Sequence, residues 1–254
     1  MVLISEVPET VCIHLRTVST NAKHKMAQEP VLRCQTLGRI TSCFIQIVDD
    51  VIGLFFWLHN PALLIWNWHT GKLLVRCEGD PADEGLNPQQ LPKRFPSLPP
   101  LTWDMAFLSN RAFLLNSISE QGLIHIYTFD DDGEPSVPPT CRITLAMPSL
   151  QPGRSVHHFA THSAPFLAGD RPNGKPFTTA EEARVYMMTI TFGHERYHFF
   201  MKSEFVDSLI HKDISTPPNH EPRLYRWDEW GPNNTRFIES PGHYHWLRLV
   251  IPKF

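Results

Sequence analysis

Ile45-Gln-Ile-Val48, Val51-Ile-Gly-Leu-Phe-Phe-Trp57, Leu63-Leu-Ile-Trp-Asn-Trp68 and Leu73-Leu-Val-Arg-Cys77 are four apolar runs separated by only a few residues each. They are dense in β-branched and aromatic side chains, which suit a pleated, largely buried surface. His59-Asn60-Pro61 and His69-Thr70-Gly71 interrupt them with residues that favour turns. Runs this short, punctuated this closely, predict four antiparallel strands in up-and-down order.

Outward from that stretch, the same order recurs. Trp103 to Leu108, Ala112 to Ser117, Leu123-Ile-His-Ile-Tyr-Thr-Phe129, the turn Asp130-Asp-Asp-Gly133 and Cys141-Arg-Ile-Thr-Leu-Ala146 make a second unit, with Leu123-Ile-His-Ile126 in the place of Leu63-Leu-Ile-Trp66. Upstream, Val11 to Val18 and Val31 to Cys34 read as the last two strands of an earlier unit. Downstream, Arg184 to Phe192 and Tyr197 to Met201 begin another, and Trp246 to Ile251 enters one more.

Four-stranded units of roughly 40 to 60 residues bury their faces only against neighbouring sheets. The expected fold is therefore all-β: one domain over residues 1–254, a partial or open propeller-like array of about four blades, with a plain β-sandwich as the other all-β solution. An array of this size is expected to be open at one or both ends. Proline-rich stretches at 79–100, 149–180 and 211–232 read as surface insertions. Phe205, Val206, Leu209 and Ile210 are spaced for one short amphipathic helix over 203–212, with Ser203 as its N-cap.

The 254 residues are 42% apolar and 11% aromatic, enough to build a substantial core. A formal charge of -3 and the lack of lysine or arginine runs argue against nucleic acid as a partner. The apolar stretch from Val51 to Trp68 is broken at His59-Asn60-Pro61, which argues against a membrane span. Cys12, Cys34, Cys43, Cys77 and Cys141 are odd in number and contain no C-x-x-C pair. With an N-terminus that meets Glu6 too early for a signal-peptide core, they predict an intracellular protein, cytoplasmic or nuclear.

His194-Glu195-Arg-Tyr-His198 matches the H-E-x-x-H zinc pattern. That pattern needs a helix, and here it follows the β-like run Val185 to Phe192 and Gly193. Residues four apart on a strand stand about 13 Å apart, too far to share one zinc. A hairpin tip is the expected conformation; a cross-strand pairing of His194 with His198 is the one arrangement that would keep a metal role. His157, His158 and His162, and the pair His243 and His245, read as loop or edge histidines, and Asp130 to Gly133 as a turn. Pro96-Ser-Leu-Pro99 matches a minimal P-x-x-P ligand, a pattern common in proline-rich loops. No nucleophile elbow, phosphate loop or dinucleotide fingerprint occurs, so no cofactor and no enzymatic activity is expected. Tyr225, Arg226, Trp227 and Trp230 fall in one loop-like segment. Exposed, they would suit a protein-binding hot spot; buried, the tryptophans would plug a gap in the array.

Ile13-His-Leu-Arg-Thr-Val-Ser-Thr20, Leu64-Ile-Trp-Asn-Trp-His-Thr-Gly-Lys72 and Trp227-Asp-Glu-Trp-Gly-Pro-Asn-Asn-Thr-Arg236 resemble segments of F-box-like proteins of mushroom-forming fungi. In that family they lie in a degenerate WD-repeat-like propeller region downstream of the F-box. The resemblance implies a substrate receptor in a ubiquitin-ligase complex, with the propeller holding a target protein. No F-box precedes the repeats in this chain, so binding of a protein partner is expected without engagement of the ligase scaffold. Two other readings stand beside it: a zinc-dependent hydrolase using His194, Glu195 and His198, and a truncated gene product without independent function.

Overall fold

The computed structural model describes residues 2–7, 10–35, 40–57, 61–79, 95–131, 137–164, 166, 184–214 and 221–240. The strands are β1 (Val2–Val7), β2 (Thr10–Leu15), β3 (Val31–Gln35), β4 (Ser42–Val48), β5 (Val51–Trp57), β6 (Pro61–Asn67), β7 (Leu73–Glu78) and β8 (Thr102–Ser109). They continue with β9 (Ala112–Ser117), β10 (Leu123–Thr128), β11 (Thr140–Ala146), β12 (Val156–Ser163), β13 (Val185–Phe192), β14 (Glu195–Lys202), β15 (Arg223–Tyr225) and β16 (Thr235–Ser240). Two helices, α1 (Ser203–Ile214) and α2 (Trp227–Asn234), flank β15.

These strands form four sheets in chain order: β1-β2-β3, β4-β5-β6-β7, β8-β9-β10-β11 with β15 added beyond β11, and β12-β13-β14-β16. All neighbours are antiparallel except β11 and β15. The repeat units read from Ile45 to Cys77 and from Trp103 to Ala146 are the second and third sheets.

Strand alternation explains why the runs are apolar on both faces. In β5, Val51 and Phe55 pack toward the third sheet with Phe107 and Phe113, while Ile52, Leu54 and Phe56 pack toward the first with Val11 and Ile13. In β9 the same division sends Phe113 and Leu115 to the second sheet and Ala112 and Leu114 to the fourth. A sheet covered on both sides has no polar face, so its strands read as unbroken hydrophobic runs. Each buried Leu, Ile or Phe contributes about 1.5–3 kcal/mol. Gly53 permits a close approach of the second and third sheets: a Cβ there would lie 2.8 Å from the Phe107 ring.

Among the described residues the first strand of each of the later three sheets leaves one ladder edge unpaired, and side chains of the preceding sheet partly satisfy those of β8 and β12. The Gln46 amide donates to Met105 O (3.4 Å) and accepts from Phe107 N–H (2.9 Å), joining β4 to the edge of β8. Asp104 accepts from Thr161 N–H at 2.5 Å, joining β8 to β12. Asn116 donates to Thr161 Oγ1 (2.7 Å) and Phe159 O (3.3 Å). At the far end of β4, Asp50 takes a forked pair from Arg111 (2.7 and 3.1 Å) and bonds from Asn67 and Asn110, tying the second sheet to the third.

Three expectations need correction. The stretch 149–180 is not wholly an insertion, because β12 lies within it. Its histidines conceal an alternation in which Val156, Phe159 and Thr161 are buried. The stretch 211–232 holds β15 and most of α2. Trp227 to Trp230 is helix rather than loop: the Glu229 carboxylate accepts the Arg226 N–H (2.7 Å), and packing of Trp230 outweighs the breaking tendency of Gly231-Pro232. The expected helix at 203–212 is α1, but Ser203 does not cap it; its Oγ is buried without a hydrogen-bond partner among the described residues. The expected runs at 58–60 and 132–133, the histidines at 243 and 245, and the strand at 246–251 lie outside the described residues.

Candidate functional site

The Tyr225 to Trp230 segment divides in two. Trp230 is 1% exposed, its indole N–H donates to Ala146 O (2.9 Å), and its ring stacks on Phe205 while meeting Trp227 edge-on. It belongs to the core shared by the third sheet, the fourth sheet and α1. Trp227, half-buried, lies across Gly231, where a Cβ would meet the ring at 2.4 Å. Tyr225 is half-buried with Arg223 over its ring, and Arg226 is exposed.

The H-E-x-x-H residues occupy a two-residue hairpin. Gly193, at φ 59°, and His194 form the tip between Phe192 and Glu195. Arg154 pairs with Glu195 at 2.5 Å, and its guanidinium, with the Tyr197 hydroxyl, holds that carboxyl below its usual range. His198 does not face His194: it pairs with Thr189, whose Oγ1 lies 3.0 Å from Nδ1. The cross-strand pair is thereby overturned by the hairpin register. His157, His158 and His162 lie on β12, an edge strand. Among the described residues no group of three His, Cys, Asp or Glu side chains is placed to hold a metal ion.

A different constellation appears beside the first strands of the second, third and fourth sheets. Four half-buried rings run across three sheets around the buried Phe55: Phe44 beside Phe55 (5.1 Å between centroids), Phe55 beside Trp57 (5.9 Å), Trp57 beside Trp103 (5.7 Å) and Trp103 beside His158 (5.5 Å). Strand pairing places Trp57 at the end of β5, opposite Ser42, and a bulge between Thr102 and Asp104 places Trp103 near the start of β8, an edge strand of its sheet. Thr41, Ser42, Phe44, Trp57, Trp103 and Asp104 line a groove of about 470 Å³. Asp104 is 8% exposed, and burial pushes its carboxyl up to about 7 against two backbone hydrogen bonds that pull it down. His158 is held below its usual value by burial and by the nearby Arg196.

A second concavity of about 600 Å³ adjoins along β4, between Ile45, Ile47 and Asp49 on one side and Ser163 and Phe166 on the other. The two together follow β4 from end to end, opposite β12. Sequence reading missed this groove because its residues come from three separate units. The signals were a tryptophan at the close of one strand and the opening of the next, and a lone carboxylate in the apolar run Trp103 to Leu108.

Comparison of the chain with protein-family models, with curated proteins and with solved structures found no match. No helix among the described residues is long and apolar enough to cross a membrane.

Proposed function

We propose that the chain is a protein-interaction module whose four sheets are consecutive blades of an open, propeller-like array, and that its partner sits in the groove beside Phe44, Trp57 and Trp103. The observation that carries this reading is the set of half-buried aromatic rings around an open groove between sheets. Tryptophan held half-exposed in a concavity is the residue type that dominates binding energy at interfaces. The free inner edge of β4 adds backbone groups that an extended segment of a partner could use. The resemblance to F-box-like proteins supports the same class of role, holding a target protein as a substrate-receptor region. All five cysteines are free thiols, which fits an intracellular, cytoplasmic or nuclear setting. The hydrolase reading has no geometric support in the hairpin.

Capture of partners from native extract of the source organism, quantified by proteomics for the wild type and for Trp103→Ala side by side, tests the reading. A partner retained by the wild type and lost by a folded Trp103→Ala is the expected result. A well-folded bait that retains nothing, or retains the same proteins regardless of Trp103, would overturn it.

A further inference from the structure

The groove pairs its rings with an acid, and that combination selects a ligand. Resting on the reading above, we propose that the groove takes the trimethylammonium head of a methylated lysine carried on an extended segment of the partner protein.

Trp57 and Trp103 meet edge to face at 66°, 5.7 Å between centroids, and both line the groove together with Phe44. Aromatic faces carry negative potential and attract cations, Trp most strongly. Asp104 lines the groove with them and supplies the formal charge; an arriving cation favours its ionised form. The groove is thus complementary to a positive head group.

Hydrogen-bond capacity distinguishes among cations. A guanidinium brings five N–H donors and an unmodified ammonium three, all of which need acceptors when desolvated. Asp104 already accepts the backbone N–H groups of Thr161 and Met105, so a forked pair with arginine would have to compete for its lone pairs. Thr41 Oγ1 donates to Trp57 O at 3.1 Å and keeps two lone pairs, fewer than the donors an ammonium or a guanidinium brings. A quaternary ammonium asks for charge and ring contact and for no acceptor. The adjoining concavity along β4, with Ile47 44% exposed, supplies room for the chain that carries the head group. A free small cation would leave that second concavity empty.

The test uses the full chain and short acetylated alanine-glycine peptides bearing one trimethyllysine, one lysine, or the neutral tert-butyl carbon isostere, followed by tryptophan fluorescence. The trimethyllysine peptide is expected to bind roughly tenfold more tightly than either of the others. Trp103→Phe, which keeps a ring in the belt, should weaken it several-fold while melting as the wild type does, and Asp104→Asn should weaken it too. Equal binding of the isostere, or no saturable binding of the trimethyllysine peptide, overturns the proposal. Choline binding as tightly as the peptide overturns the commitment to a peptide and assigns the groove to a free quaternary ammonium. Trp103-dependent capture of a partner without discrimination among the three peptides would refute the cation site alone and leave the interaction module standing.

Discussion

Asp104→Asn should stabilise the protein at high pH and leave it nearly unchanged at low pH. In the folded chain the Asp104 carboxyl titrates at about 7 because burial disfavours its ionised form. Unfolded, it titrates at an ordinary aspartate value near 3.9. Between those values the native state holds a proton that the unfolded state has lost, so stability falls as pH rises, by up to about 1.4 kcal/mol per unit. The contribution is intact below the unfolded value and gone above the folded one. Asparagine stands in for the protonated acid and can still accept from Thr161 N–H through its amide oxygen. Urea denaturation of both proteins at about pH 5 and about pH 8 should show a gain for the variant that grows by about 2–3 kcal/mol between the two. Comparing the variant with the wild type at each pH removes the opposing contributions of His125 and His158, which both proteins share. An identical stability difference at the two pH values would refute the burial argument.

His125 supplies the opposite dependence: burial pulls it down to about 4, so the unfolded chain binds its proton first and stability is lost as pH falls from about 6.5 toward 4. His125→Leu should flatten that acid limb in a pH series of thermal melts. Trp230→Phe removes the indole bond to Ala146 O and leaves a gap beside Phe205; a loss of about 2–3 kcal/mol in denaturant unfolding is expected, with partner binding by the folded fraction unchanged. Gly53→Ala drives a methyl against the Phe107 ring and should cost about 1–3 kcal/mol, read as a lowered denaturation midpoint at constant m-value.

The strands of the second and third sheets were legible to within one to three residues, because runs such as Val51 to Trp57 are apolar on both faces and end at turn residues. β12 was not legible, since an edge strand carrying three histidines alternates too weakly to stand out from a proline-rich neighbourhood. α2 was hidden by Gly231-Pro232, which read as loop punctuation; only the packing of Trp230 against Phe205 and Ala146 explains a helix there. The hairpin at Gly193-His194 was legible from the β-like run before it. The groove was beyond reach, since Phe44 and Trp57 of the second sheet become neighbours of Trp103 and Asp104 of the third only after the two sheets have stacked.

The proposed binding site is the groove beside Trp57 and Trp103 and not the Trp227 to Trp230 segment. Comparative capture from native extract with folded wild type, Trp103→Ala and Trp230→Phe tests it most directly. A specific partner held by the wild type and by Trp230→Phe and lost by Trp103→Ala is the expected result. Loss with Trp230→Phe and retention with Trp103→Ala would contradict it.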